Sequence, residues 1–257
     1  MDRRVVVVLP GTRDTSKNII KYLRDLDVEF KIIPVINVKI NYDEVESARR
    51  AFSSGFTPEI SVFTSKTAVK IVKKLLPEAW KHAEKHSLAI GPGTASLLEI
   101  SGAENVEVPE MHSSEGLIKL LSKMSKNCSL ALYSSKHVSQ RLEEFIMESF
   151  YSFRILKLYT IVENRENVEK LIEHVRSYPE NVYIIVVTCL KILEILSREK
   201  ELLSAENIVY SIISKRLLSE ALKIKLPVHY NFSINTVNQY YETLRSFIRR
   251  LLLSRNQ

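Results

Sequence analysis

Five consecutive apolar residues, Val5-Val6-Val7-Val8-Leu9, form the first feature of the hydrophobic pattern. A run without polar alternation suits a strand covered on both faces, as in a parallel sheet. Pro10-Gly11-Thr12-Arg13-Asp14 reads as a turn. Ile19, Ile20, Leu23 and Leu26 then recur at helical spacing and predict a helix over 18–26. Residues 30–38 read as a second strand, and Pro34 inside it marks an edge strand or one leaving its sheet. Further on the pattern predicts helix 43–51, strand 60–63, helix 67–76, strand 88–90, helix 95–101, strand 106–108 and helix 113–123. The second half gives strand 130–133, helix 138–150, an extended segment 153–161, helix 168–177, strand 182–187 and helix 190–196. Strand 208–212, helix 216–224, a short strand Val228-His229-Tyr230 and a long helix 236–252 complete it. Strands alternating with helices predict parallel α/β layers.

This alternation has a period. Val62-Phe63-Thr64-Ser65 corresponds to Val186-Val187-Thr188-Cys189 at an offset of 124 residues. The Gly91 turn corresponds to the Ser214 turn, and Phe30 to Phe153, each at an offset of 123. Three separate blocks at nearly one offset indicate an internal duplication. Two similar α/β domains of about 120 residues follow, and a cleft between such domains is a common place for a ligand.

Composition narrows the picture. At 257 residues with 45% apolar and 26% charged side chains, the chain has the make-up of a soluble globular protein. No apolar run reaches the roughly 18 residues of a membrane span, and Val5–Val8 is too short for the core of a signal peptide. The chain therefore reads as cytoplasmic, with no membrane partner. Cys128 and Cys189 show no CxxC or histidine spacing, so neither a disulfide framework nor a metal site is expected. The net charge of +7 raises the question of nucleic acid, but Lys and Arg are spread beside Glu along amphipathic segments. Arg249-Arg250 in the last helix is the exception, and no nucleic-acid partner is expected. A modest positive excess suits a small molecule carrying many carboxylates.

Ile90-Gly91-Pro92-Gly93-Thr94-Ala95 joins a predicted strand to a predicted helix, leaving backbone N–H groups that can hold an anion. A tight turn with Thr94 near the cap is the alternative. With both copies of the duplication in view, the sequence resembles the uroporphyrinogen-III synthase family along most of its length. The resemblance is carried by Val7-Val8-Leu9-Pro10-Gly11-Thr12-Arg13, by Phe63-Thr64-Ser65-Lys66-Thr67-Ala68-Val69 and by Ala89-Ile90-Gly91-Pro92-Gly93-Thr94-Ala95. Ser113-Ser114-Glu115-Gly116-Leu117 and Lys157-Leu158-Tyr159 add to it. The order and spacing of these blocks carry the match more than any one of them.

The resemblance implies two flavodoxin-like parallel-sheet domains joined by a two-stranded ladder, with the active site in the interdomain cleft. Residues 1–36 plus 161–257 would form a discontinuous domain, and 37–160 an inserted one. Ile33–Ile40 and Leu156–Val162 would be the ladder. The implied reaction closes the linear tetrapyrrole hydroxymethylbilane with loss of water and inversion of its last ring through a spiro intermediate. No metal or organic cofactor is implied, because the substrate's own pyrrole nitrogen expels the hydroxyl to give an azafulvene cation. The resemblance also implies a monomer that receives its substrate from hydroxymethylbilane synthase.

Site residues follow from the same match. Tyr159 is the expected proton donor to the leaving hydroxyl, since a phenol is protonated at neutral pH and donates without added charge. Its alternative is a Tyr packed on the ladder. Turns at Thr12-Arg13, Thr64-Ser65-Lys66, Gly91 to Thr94 with Gly93, Ser113-Ser114 and Thr188 fall at junctions leading into helices, where they would hold the substrate's acetates and propionates. A helix cap is the alternative for each hydroxyl. Arg13 and Arg141 would add charge, with a solvated helix face as the alternative for Arg141. The second copy of the Gly-rich turn departs from the family pattern, as Ile213-Ser214-Lys215-Arg216-Leu217-Leu218 lacks the glycine and the threonine pair. There Lys215 or Arg216 would supply charge instead. A different class of reading is a non-catalytic two-domain α/β protein that binds a polycarboxylate ligand.

Overall fold

The valines at the start of the chain fail to alternate because both faces of their strand are covered. In β1 (Val5–Leu9), Val6 and Val8 enter one buried cluster and Val5, Val7 and Leu9 another. The structure is a computed structural model that describes residues 4–227 and 237–254. From β1 the chain continues through α1 (Arg13–Leu23), β2 (Glu29–Ile32), β3 (Ile36–Ile40), α2 (Tyr42–Ser53), β4 (Ile60–Phe63), α3 (Lys66–Leu75), α4 (Pro77–Ala83) and β5 (Ser87–Ala89). Next come α5 (Pro92–Ile100), β6 (Val106–Glu107), α6 (Ser114–Leu121), β7 (Ser129–Ser135), α7 (Gln140–Ser149) and β8 (Ser152–Glu163). The remainder is α8 (Arg165–Ser177), β9 (Val182–Val187), α9 (Leu190–Leu196), α10 (Lys200–Ser204), β10 (Ile208–Ile212), α11 (Lys215–Lys223) and α12 (Val237–Leu253).

Contacts divide the chain into two units, Met1–Asn37 with Ile161–Gln257 and Val38–Thr160. The first holds a four-stranded parallel sheet in the order β10-β9-β1-β2. The second sheet has six strands in the order β3-β8-β7-β4-β5-β6, parallel from β8 to β6. With β7 and β8 counted before β4, β5 and β6, five of its strands take the doubly wound flavodoxin order in circularly permuted form. In such a sheet the crevice outside the carboxyl ends, where the strand order reverses, is the usual ligand position.

Pairing registers confirm the repeat. Ile60 pairs with Leu130 and Ser61 with Ala131, while their counterparts Ile184 and Ile185 pair with Val7 and Val8. Ser61 pairs with Ser87 and Phe63 with Ala89, just as Ile185 pairs with Tyr210 and Val187 with Ile212. Leu130 with Phe153 matches Val7 with Phe30. Each sheet thus combines a β-α-β piece from one copy with the later strands of the other.

Several expected boundaries move. The helix expected over 18–26 is α1, which begins at Arg13 and ends at Leu23. Its first turn is wholly polar, although Ser16 is buried, so hydrophobic spacing cannot show it, and Leu26 falls in the turn that follows. The strand expected over 30–38 is two strands of different sheets, with Pro34 between β2 and β3. β3 and β8, expected as the two strands of the ladder, do pair, and they do so at one edge of the six-stranded sheet. The short helices α4 and α10 carry too few turns to register as a periodic pattern. The strand expected at Val228-His229-Tyr230 and the start of the last helix at Thr236 lie outside the described residues.

Candidate active site

α3 begins where β4 ends, because Ser65 caps it. The Ala68 N–H donates to Ser65 Oγ at 3.0 Å, satisfying one of the orphan amides of the first turn. Ala68, Val69, Ile71 and Val72 turn inward, leaving Lys66 as the first helical residue. One residue earlier, both the N–H and the hydroxyl of Thr64 donate to the Tyr133 carbonyl oxygen, each at 3.3 Å, joining the ends of β4 and β7. Tyr133 is fully buried, its ring stacked on Phe63 at 4.7 Å between centroids. Burial pushes its phenol well above the ordinary value, as befits a core residue.

Tyr159 reaches Ser65 through an irregularity in β8. Ser134 pairs with Lys157, but Ser135 pairs with Tyr159, so Leu158 is an extra residue in the ladder. Such bulges re-aim the side chains that follow them. Leu158 and Tyr159 are accordingly both buried although adjacent in the strand, Tyr159 being 5% exposed. The Lys136 N–H donates to the Tyr159 carbonyl at 2.7 Å, and the Tyr159 and Ser65 hydroxyls share a hydrogen bond of 2.8 Å.

The neighbouring turn meets the same group. Gly91 occupies the cap position of α5 and Pro92 its first helical position, where the missing N–H costs nothing. Thr94, expected near the cap, is buried in the first turn of α5, and the cap position falls to Gly91 without a side-chain bond. A Cβ built on Gly93 would sit 3.0 Å from Lys66 Cε and 3.2 Å from its Nζ, so the glycine is what lets the ammonium lie against this turn. A Cβ on Gly91 would lie 3.4 Å from the Cβ of His112, which brings the segment before α6 alongside. Ser113 caps α6 by accepting the Gly116 N–H at 3.2 Å, and Ser114 is the first helical residue.

Ser65, Lys66, Gly91, Gly93, Ser113 and Tyr159 are therefore linked neighbour to neighbour, with Thr64 and Thr94 in the same turns. Arg141 is exposed in the first turn of α7. In the first unit, a Cβ on Gly11 would meet Thr188 Oγ1 at 3.1 Å, so these two turns adjoin at the ends of β1 and β9. Thr12 stands at the cap of α1 with its hydroxyl 3.1 Å from that of Thr15, and Arg13 is exposed beside it. Ser214 caps α11, and Lys215 and Arg216 are exposed in its first turn. His112 and the Leu158 bulge are the features that sequence reasoning missed. His112 has no spacing signal, and a bulge is invisible without the partner strand.

The linked group carries a cation at its centre. None of the ion pairs among the described residues uses Lys66, Lys215 or Arg216. Lys66 begins α3 and lies against the first turn of α5, so the positive ends of two helix dipoles add to its charge. Among the described residues no cluster of three or more His, Cys, Asp or Glu could hold a metal ion. No helix there is long and apolar enough to cross a membrane. A cavity of about 400 Å³, lined by Arg4, Glu29, Lys31, His174, Tyr178, Glu180 and Asn181, opens at the amino ends of β1, β2 and β9. It contains none of the expected site residues.

A family model described as uroporphyrinogen-III synthase HemD matches residues 17–238. A mutant uroporphyrinogen III synthase from the extremely thermophilic bacterium Thermus thermophilus has a similar crystal structure, with a TM-score of 0.62 and 19% identity over 96% of this chain and 99% of that one. The uroporphyrinogen-III synthetase of Helicobacter pylori gives a TM-score of 0.55 at 15% identity, covering 95% of this chain and 99% of the other. These likenesses bear on the fold alone. No curated protein sequence matches the chain.

Proposed function

The chain belongs to the uroporphyrinogen-III synthase family, and we propose that within it Tyr159 is the proton donor and that Lys66 with the Gly91 to Thr94 turn holds a substrate carboxylate. The reaction is the cyclisation of hydroxymethylbilane with loss of water and inversion of the last ring, a step of haem biosynthesis. The reactivity lies in the substrate, and the protein's share is placement, charge and help to the departing hydroxyl. One observation carries the residue assignment. Tyr159, the helix-capping Ser65, Lys66 and the Gly93 turn form one connected group at the strand ends where an open parallel sheet receives its ligand.

The remaining assignments are part of the same reading. Thr64, Ser113 and Ser114 in the second unit, and Thr12, Arg13, Thr188, Lys215 and Arg216 in the first, offer amides, hydroxyls and cations at helix starts to further carboxylates. Each sheet with its helices is one domain, 1–36 plus 161–257 and 37–160. The protein works as a cytoplasmic monomer supplied by hydroxymethylbilane synthase. The family match does not favour the non-catalytic binding protein.

Tyr159→Phe tests the donor assignment, since it removes the proton and keeps the ring. General acid help is worth about 10²–10⁴-fold, so turnover falls by that order while the melting curve is unchanged. Unchanged turnover removes Tyr159 from the mechanism.

A further inference from the structure

We propose that Ser65 is a positioning residue for the reaction: it ties the Tyr159 phenol to the start of α3 and donates to the phenol oxygen as that oxygen gives up its proton. The inference rests on Tyr159 being the donor and goes one step further, to what holds it and receives its developing charge. It also takes Ser65 away from direct contact with the substrate.

A serine hydroxyl has one proton and two lone pairs. At Ser65 one lone pair receives the Ala68 N–H at 3.0 Å, and the hydroxyl meets Tyr159 Oη at 2.8 Å. Accepting an amide proton polarises the serine O–H and makes it a better donor. The amide belongs to the first turn of α3, so the positive end of that helix reaches the phenol through a single oxygen. Tyr159 is thereby fixed at two points, its backbone by the Lys136 N–H at 2.7 Å and its phenol by Ser65. The Leu158 bulge is what lets one residue of a strand meet both.

The step balances without a further reactant. The carbon–oxygen bond of the hydroxymethyl group breaks, and its electron pair leaves with the oxygen. That oxygen takes the Tyr159 proton and departs as water. The cation left on the substrate is shared with the pyrrole nitrogen, and the phenolate accepts the Ser65 O–H. When ring closure releases a proton, the phenolate takes it and the starting state returns. Ser65 never bonds to substrate. Its contribution appears only as charge develops, which places it in kcat and leaves KM alone.

Three variants separate this role from simple helix capping. Ser65→Thr keeps the capping oxygen and the donor. Ser65→Asp keeps an equally good cap but has no proton to give at neutral pH. Ser65→Ala removes both. Steady-state kinetics on freshly made hydroxymethylbilane, with melting curves as a control on folding, is the measurement. Ser65→Ala is expected to lower kcat at least tenfold with KM within twofold, Ser65→Asp to lower kcat at least tenfold with KM raised as well by its charge beside Lys66, and Ser65→Thr to restore most of kcat. Adding Ser65→Ala to Tyr159→Phe is expected to cost less than a further twofold, because the group it serves is gone. A raised KM with unchanged kcat, full kcat in Ser65→Asp, or losses that multiply in the double variant each overturn the proposal. Unchanged kcat in Tyr159→Phe alone overturns the donor assignment and this proposal with it. A tenfold loss there, together with normal kcat in Ser65→Ala, overturns only the part assigned to Ser65.

Discussion

Lys66 rests against Gly93: a Cβ at that position would come within 3.2 Å of the lysine Nζ. The lysine begins one helix and the glycine lies in the first turn of another, so a cation sits at the positive ends of two helix dipoles. Lys66→Met removes the charge and keeps the stem. A hydrogen bond to a charged group is worth about 1.5–3 kcal/mol, so KM for hydroxymethylbilane rises about 10–100-fold with kcat little changed. Steady-state kinetics decides it, and an unaltered KM assigns the carboxylate elsewhere.

Gly93→Ala is a gentler form of the same test. The new Cβ meets only the flexible end of Lys66, so the fold holds and the ammonium moves aside. A several-fold rise in KM with an unchanged melting temperature is expected. A large drop in melting temperature would show that the glycine serves the backbone and not the lysine.

Gly116 has a different reason for being glycine. A Cβ there would lie 1.8 Å from the Met111 carbonyl oxygen and 3.1 Å from the Pro109 Cβ, and backbone cannot yield as a lysine tip does. Gly116→Ala is therefore expected to cost about 3 kcal/mol or more, near the upper end for overpacking. In a chain of this size that is a fall in melting temperature of about 6–12 °C. Wild-type stability in this variant would contradict the close approach.

Acid should weaken the fold below the ordinary histidine range. Burial lowers His174, helped by Lys31 and opposed by Glu29, and burial likewise lowers His82, helped by Lys85 and Lys81 and opposed by Glu78. A depressed folded value means that the unfolded chain binds protons first, so stability is full above about pH 6.5 and is lost as pH falls through the folded values. Glu29, held low by its hydrogen bond to Lys31, adds a further loss below the ordinary carboxylate range. Melting temperatures between pH 7.5 and 4 should fall steadily, and His174→Gln should flatten the upper part of that fall. A melting temperature that rises on acidification would contradict these assignments.

What the sequence revealed and what it hid divide along physical lines. Val5–Leu9, Ile60–Phe63 and Val182–Val187 were legible because strands buried on both faces need unbroken apolar runs. The repeat was legible because each copy keeps the same turns at the same spacing, and the pairing registers repeat with them. The start of α1 was not, since polar residues at its first turn leave no apolar trace. Within the site, Ser65, Lys66, Gly93 and Tyr159 were legible as residues, but their contacts were not. The Ser65 hydrogen bond depends on a bulge at Leu158, and the Lys66 contact on two turns 27 residues apart. Thr94 was misplaced because a Gly-Pro pair moves the helix start three residues earlier than the threonine suggests.

The most direct test of the whole account is the isomer that the purified protein makes from freshly prepared hydroxymethylbilane, read by chromatography after oxidation to the porphyrin. Unassisted closure gives the type I isomer without inversion of the last ring. The account predicts predominantly type III from the wild-type protein, with the type III share falling toward the unassisted mixture in Tyr159→Phe. Type I alone from folded wild-type protein would contradict it.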